Sequence, residues 1–226
     1  MSIRIGYSSE IYQIAPKDLQ KLANLDKSIS KQIKSDEEIV LFIGNENTGE
    51  NDKLALGRNL VLKAIDNGDK FVPVRVAFEI RTPKFDILST LMKKRREKYR
   101  GYSTNIYHTS PKIIRKMNIE RNFRTKENAY NISNPKWHLE EKDRNKKYNK
   151  LYNSMKKYGF NDRFPVDIML NRSFGVQDTL QQGHHRMGIA LDLNLDLIAI
   201  RFGAAGQNKN ILSPLFRIFA KHKLKK

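Results

Sequence analysis

Residues Tyr148–Phe202, YNKLYNSMKKYGFNDRFPVDIMLNRSFGVQDTLQQGHHRMGIALDLNLDLIAIRF, alternate helix and strand signals in a sharply punctuated order. From Tyr148 to Tyr158 a helical period places Leu151, Tyr152 and Met155 on one face, and Gly159 stops it. Pro165–Leu170 reads as a strand, Asn171-Arg172-Ser173 as a turn and Phe174–Leu180 as a second strand. Gln181-Gln182-Gly183 leads into a helix from His184 to Leu193, with Met187, Ala190 and Leu191 as its buried stripe. Asn194 suits the left-handed position after the helix, and Asp196–Phe202 closes the stretch as a strand. The order helix, strand, strand, turn, helix, strand predicts an α/β fold of mixed α+β type.

The upstream sequence continues the alternation. Ile3–Tyr7 reads as a strand, and Pro16–Ile33 as a helix carrying Leu19, Leu22 and Leu25. Glu38–Ile43 is a short apolar run followed by a loop over Gly44–Gly49. Leu54–Ile65 reads as an amphipathic helix stopped at Asn67-Gly68. Phe71–Ile80 reads as a strand in which Pro73 argues against a central position at its start. No internal repeat shows along the chain, so a single non-repetitive architecture is expected. Four regions follow: an N-terminal α/β region (1–92), a basic, aromatic-rich segment (93–147), the module at 148–203 and a basic amphipathic tail (204–226).

With 226 residues and a hydrophobic fraction of 39%, the chain is long enough for a substantial core. Cysteine is absent, which excludes disulfides, thiolate-held zinc and thiol catalysis. No run of 18 apolar residues occurs and Met1–Tyr7 has no signal-peptide character, so a cytoplasmic protein is expected. The net charge of +19 implies an anionic partner, against the simpler alternative of a solubilising surface. Between Lys93 and Lys150, 18 Lys or Arg face 6 Asp or Glu, interleaved with Tyr99, Tyr102, Tyr107, Phe123, Tyr130 and Trp137. That mixture suits nucleic acid, an anionic sugar or a lipid-facing surface, and equally a segment packed on the main domain. In the tail, Leu212, Leu215, Phe216 and Phe219 form a helical stripe edged by Arg217 and Lys221. It suits either an anionic membrane surface or the protein's own core.

The turn Gly183-His184-His185-Arg186 is the main candidate site. A helix N-terminus exposes unpaired N–H groups and the positive end of the peptide dipoles. Gly183 admits a ligand close to the backbone, and Arg186 adds a forked cation matched to phosphate oxygens. His184 and His185 add ring donors, one of them able to shuttle a proton near neutral pH. The alternative is a pair of satisfied histidines at a helix cap. The other histidines, 108, 138 and 222, are scattered, so no metal site is expected.

The order and spacing of Leu151–Phe160, Phe164–Ile168, Gln182–Ala190 and Asp196–Ile200 resemble the ParB-like, or ParB/sulfiredoxin, superfamily. In that family a helix, a Pro-plus-apolar strand, a Gly-x-x-Arg turn at a helix start and a further strand follow one another. The family includes CTP-binding chromosome-partition proteins, ATP-dependent kinases of small hydroxyl substrates such as free serine, and sulfiredoxins. Similar modules stand alone in surface-polysaccharide gene clusters. The resemblance implies a nucleoside triphosphate, ATP or CTP, whose phosphates contact Gly183, His184, His185 and Arg186, with Mg²⁺ bridging them.

Three departures narrow what is implied. Sulfiredoxin chemistry needs a cysteine; the 24 residues after Phe202 are too few for a helix-turn-helix and a dimerisation domain; and Gln182 stands where many members carry an acid. The leading expectation is therefore a phosphotransferase acting on a hydroxyl of a sugar, lipid-linked glycan or other small acceptor. The alternatives are a nucleic-acid-binding protein or nuclease using the basic segment, and a non-catalytic nucleotide sensor. Transfer to a hydroxyl needs a carboxylate to orient or deprotonate it. The candidates are Asp167, Asp178, Glu140 and Glu141, with His184 and His185 stabilising the transferring charge.

Overall fold

The computed structural model describes residues 5–33, 38–46, 49–79, 99–119, 141–173 and 177–205. Lys93–Lys98, Phe123, Tyr130, Trp137, Glu140 and the tail beyond Ala205 lie outside the described residues. The chain is a mixed α+β fold of two five-stranded sheets. The first sheet runs β1 (Ile5–Ile14), β5 (Val72–Glu79), β3 (Val40–Phe42), β4 (Lys53–Leu56) and β2 (Ala23–Asn24). The second runs β6 (Tyr99–Tyr102), β10 (Ile198–Ala205), β8 (Val166–Ser173) and β9 (Gln177–Gln182), with β7 (Tyr107–Thr109) also on β10. Its helices are α1 (Pro16–Gln20), α2 (Lys27–Ser30), α3 (Arg58–Asp66), α4 (Pro111–Lys116), α5 (Glu141–Tyr158) and α6 (His184–Asp192). One core joins the sheets, with Tyr12, Leu41, Val74, Ile168, Met187, Ile200 and Phe202 all inside it.

The 148–202 stretch folds in the order its periodicity predicts: α5, β8, β9, Gly183, α6, β10. Asn194 takes the left-handed conformation after α6, with φ 55°. Pro73 sits on a strand flanked on both sides, yet β3 begins to pair only at Arg75, so its missing N–H removes no bond to that neighbour. Two expected helices are shorter than their apolar spacing suggests. Pro16–Ile33 divides into α1, β2 and α2, because Leu22 and Leu25 enter different clusters and Ala23–Asn24 pairs with β4. Leu54–Ile65 is a strand up to Leu56, then Gly57 at φ 87°, then α3. Tyr107, expected on an aromatic surface, is fully buried and belongs to the second sheet.

The expectation of a non-repetitive chain is overturned. A constant offset of 126, the difference between Arg58 and His184, carries β4, Gly57, α3 and β5 onto β9, Gly183, α6 and β10. An offset of 127 carries β3 onto β8, because Val40 pairs with Arg75 and Leu56 as Asp167 pairs with Arg201 and Gln182; the pairing senses agree, antiparallel within each hairpin and parallel across each helix. Identical residues recur at the 126 offset, among them Asp52/Asp178, Leu54/Leu180, Gly57/Gly183, Ala64/Ala190 and Arg75/Arg201. Ahead of them, Gly6-Tyr7-Ser8-Ser9-Glu10-Ile11-Tyr12 recurs as Gly101-Tyr102-Ser103-Thr104-Asn105-Ile106-Tyr107. Each copy leads into a helix that opens on proline, Pro16 or Pro111. Tyr12 pairs with Val74 as Tyr107 pairs with Ile200, and the bulge in β1 falls where β6 and β7 separate.

The two halves hold each other reciprocally. Tyr12 Oη donates to Asp178 at 2.7 Å, and Tyr107 Oη donates to Asp52 at 2.7 Å. The Ser9 amide donates to Asp178 while the Asp178 amide donates to Ser9 Oγ. Thr104 and Asp52 repeat both bonds. Such i-to-j and j-to-i contacts are the mark of an isologous, two-fold interface, here within one chain.

Candidate functional site

Gly183 joins β9 to α6 at φ 88°, in the left-handed region. A Cβ at this position would stand 3.1 Å from the Val166 backbone, so the start of β8 presses directly on the turn. The first helical bond runs from the Met187 amide to the Gly183 carbonyl at 2.8 Å. Gly183 has no side chain with which to cap the helix.

Arg186, in the first turn of α6, is half-buried and donates to the Phe164 carbonyl. Among the described residues no carboxylate lies within ion-pair distance of it. Burial lowers the guanidinium pKa, and the nearby charge of Asp167 opposes that shift. The cation is thus held at the turn with most of its donors not engaged by described groups.

Asp167 pairs in register with Gln182, which places it beside Gly183. It is buried and takes Nε of Arg201 at 3.1 Å, while Nη1 of Arg201 reaches Glu46 at 3.2 Å. The guanidinium of Arg201 lies 4.1 Å from the centre of the Tyr102 ring. Asp167 and Tyr102 are visible in the sequence as a candidate carboxylate and an aromatic of the basic segment, but Arg201 and Glu46 carry no local signal. Arg201 reaches Asp167 and Tyr102 through the pairing of β10 with β8 and β6, and Glu46 comes from the first half.

The other expected residues separate. His184 and His185 open α6, and the exposed His185 meets the Tyr148 ring edge-on at 6.2 Å. Glu141 begins α5, about 10 Å along the helix from Tyr148 at 1.5 Å per residue. Asp178 does not reach the turn. It sits at the far end of β9, fully buried, bonded to Tyr12, Ser9 and the Asn171 amide. Burial pushes its carboxyl pKa up, against the lowering effect of those bonds. Its place is the clasp between the halves.

The repeat separates what the fold requires from what it does not. Gly57 has the same left-handed geometry as Gly183, so the strand–glycine–helix turn belongs to the architecture. In the first half the following Arg58 is engaged by Asn24 Oδ1 at 2.6 Å and by the carbonyls of Leu22 and Gln20. The counterpart of Arg186 is Leu60, and that of Asp167, by strand register, is the fully buried Val40. Arg186, Asp167 and the two histidines therefore mark the second half alone.

His108, read as isolated, lies between two carboxylates: Nδ1 is 3.1 Å from Asp18 and Nε2 is 3.0 Å from Asp162. These partners raise its pKa to about 9. Among the described residues no cluster of His, Asp or Glu could hold a metal ion. No described helix is long and apolar enough to cross a membrane. No family model, curated protein or solved structure matches the chain.

Proposed function

We propose that the second half is a ParB-like module that holds the phosphates of ATP or CTP at the Gly183–Arg186 turn. The observation that carries this reading is Arg186 itself: a half-buried guanidinium beside a helix N-terminus, without a described ion-pair partner, where the structural twin has leucine. A helix N-terminus and an Arg fork supply complementary donors to phosphate oxygens. The activity we assign is phosphoryl transfer to a hydroxyl of a sugar, lipid-linked glycan or other small acceptor. The hydroxyl oxygen bonds to the terminal phosphorus as the bond to the bridging oxygen breaks, the nucleoside diphosphate leaves, and one of His184 and His185 takes the hydroxyl proton.

In this reading the α6 amides and Arg186 bind the triphosphate, and His184 or His185 donates to the transferring oxygens. Asp167 orients Arg201 and adds negative charge near Arg186, a positioning role supported by its two bonds to Arg201. Mg²⁺ would supply charge neutralisation on the triphosphate. Asp167 beside the turn, and Glu46 with it, are both paired with Arg201, so the phosphates would supply most of the ion's ligands. A cytoplasmic location, peripheral to the inner membrane face through residues 204–226, accompanies this reading on sequence grounds.

The test is a thermal-shift screen of ATP, CTP, GTP and UTP with Mg²⁺ on the native chain and on Arg186→Ala. Stabilisation by one nucleotide that disappears in Arg186→Ala supports the site. An equal shift in the variant would remove Arg186 from it.

A further inference from the structure

The two halves differ most in the element packed against the turn. The 18-residue α5 packs through Tyr148 and Met155 into the core that holds Met187 and Ile189 of α6, whereas the four-residue α2 lies in a separate cluster with Val40 and Ala77. Among its described residues the first half has no helix in the place of α5. Lys146, Lys150 and Lys157 share one helical stripe opposite the buried Tyr148 and Met155, with Lys147 beside it, and all four lysines are exposed. The stripe spans about 16 Å at 1.5 Å per residue.

Helix stability does not account for this stripe. Lys157 in the last turn is favoured by the helix dipole, but Lys146 and Lys150, four residues apart, repel each other. An ordinary solvated face mixes signs, whereas no acid occurs between Asp143 and Asp162. Two exposed rings border the C-terminal end: Tyr158 is 73% and Phe164 61% exposed. Lys157 Nζ lies 4.8 Å from the Tyr158 ring centre. The Phe164 carbonyl holds Arg186 while its ring faces solvent, so the surface leads to the turn.

We infer that the outer face of α5, continuing over Arg163 and Phe164, is a binding surface for single-stranded nucleic acid. The lysine stripe follows the phosphates, and Tyr158 and Phe164 stack on bases, the combination that single-strand grooves use. An anionic membrane is the weaker partner. A membrane-lying helix buries its apolar face in lipid, but Tyr148, Leu151, Tyr152 and Met155 of α5 are turned into the protein core, which leaves Tyr158 as its one exposed ring among the described side chains.

The experiment is fluorescence anisotropy of labelled oligo(dT) and oligo(rU) with the full chain across a salt series. Binding should weaken with a log–log slope near −2, at about −0.7 per phosphate neutralised by three lysines. Lys150→Glu with Lys157→Glu should weaken binding at least about tenfold with the thermal midpoint unchanged. Tyr158→Ala with Phe164→Ala should weaken it about tenfold or more while keeping the slope, as loss of stacking predicts. Three results would overturn the inference: no oligonucleotide binding, indifference to both double variants, or equal binding of duplex DNA by the aromatic variant. Capture on phosphatidylserine vesicles that the lysine variants abolish, without oligonucleotide binding, would assign the face to membrane instead.

Discussion

Replacing Tyr12 or Tyr107 by phenylalanine tests the reciprocal clasp at its two equivalent points. Each phenol is fully buried and donates to a carboxylate at 2.7 Å, so each change removes one charge-assisted hydrogen bond and no packing volume. Such bonds contribute about 1.5–3 kcal/mol. Asp52 keeps donors from the Gly44, Thr104 and Asn105 amides and from Asn105 Nδ2, whereas Asp178 keeps the Ser9 and Asn171 amides. Tyr107→Phe should therefore fall near the lower end of that range and Tyr12→Phe near the upper. Both rings contact Phe202, at 4.8 and 5.7 Å between centroids, so the double variant should depart from additivity by about 0.5 kcal/mol or more. Urea unfolding with an unchanged m-value is the assay. A loss below about 0.5 kcal/mol from either single change would refute the view that these bonds hold the halves together.

Gly57→Ala and Gly183→Ala should each lose about 1–2 kcal/mol for the left-handed backbone. Gly57→Ala should lose more in the same unfolding assay, because its Cβ would meet the Glu38 carbonyl at 2.5 Å against 3.1 Å to the Val166 backbone at Gly183. His108, raised to about 9, contributes stability that is fully present below its unfolded value of 6.5 and is lost as pH rises through about 9. With a partly exposed ring, that contribution is about 1 kcal/mol rather than the full linkage value. The urea midpoints of native chain and His108→Gln should converge between about pH 6 and pH 9.5; a constant gap would show that the imidazolium is not the stabilising form.

The alternation over 148–202 was legible because each element there is long enough to show its period and is closed by Gly159, Gly183 or Asn194. Short elements were not. In β2 and β4 apolar residues at helical spacing enter a sheet, and what decides between the two is pairing with a distant strand. The repeat is faint in the sequence because its identities are sparse and the offset changes from 95 at Tyr107 to 127 at β8 and 126 from Asp178 onward. Placing Gly6–Tyr12 beside Gly101–Tyr107 was the signal that would have found it. The place of Asp178 is not legible locally for the same reason: its partners Ser9 and Tyr12 lie in the opposite half. The turn at Gly183 was visible locally, but only comparison with Gly57 shows which of its features the fold does not require.

That comparison defines the most direct measurement. Isothermal titration of the native chain with the nucleotide selected by thermal shift, in Mg²⁺, should give one site per chain. Arg186→Ala should abolish it, and Leu60→Ala, at the equivalent position of the first half, should leave it intact. Two sites per chain, or undiminished binding by Arg186→Ala, would contradict the assignment of the phosphate site to the second half.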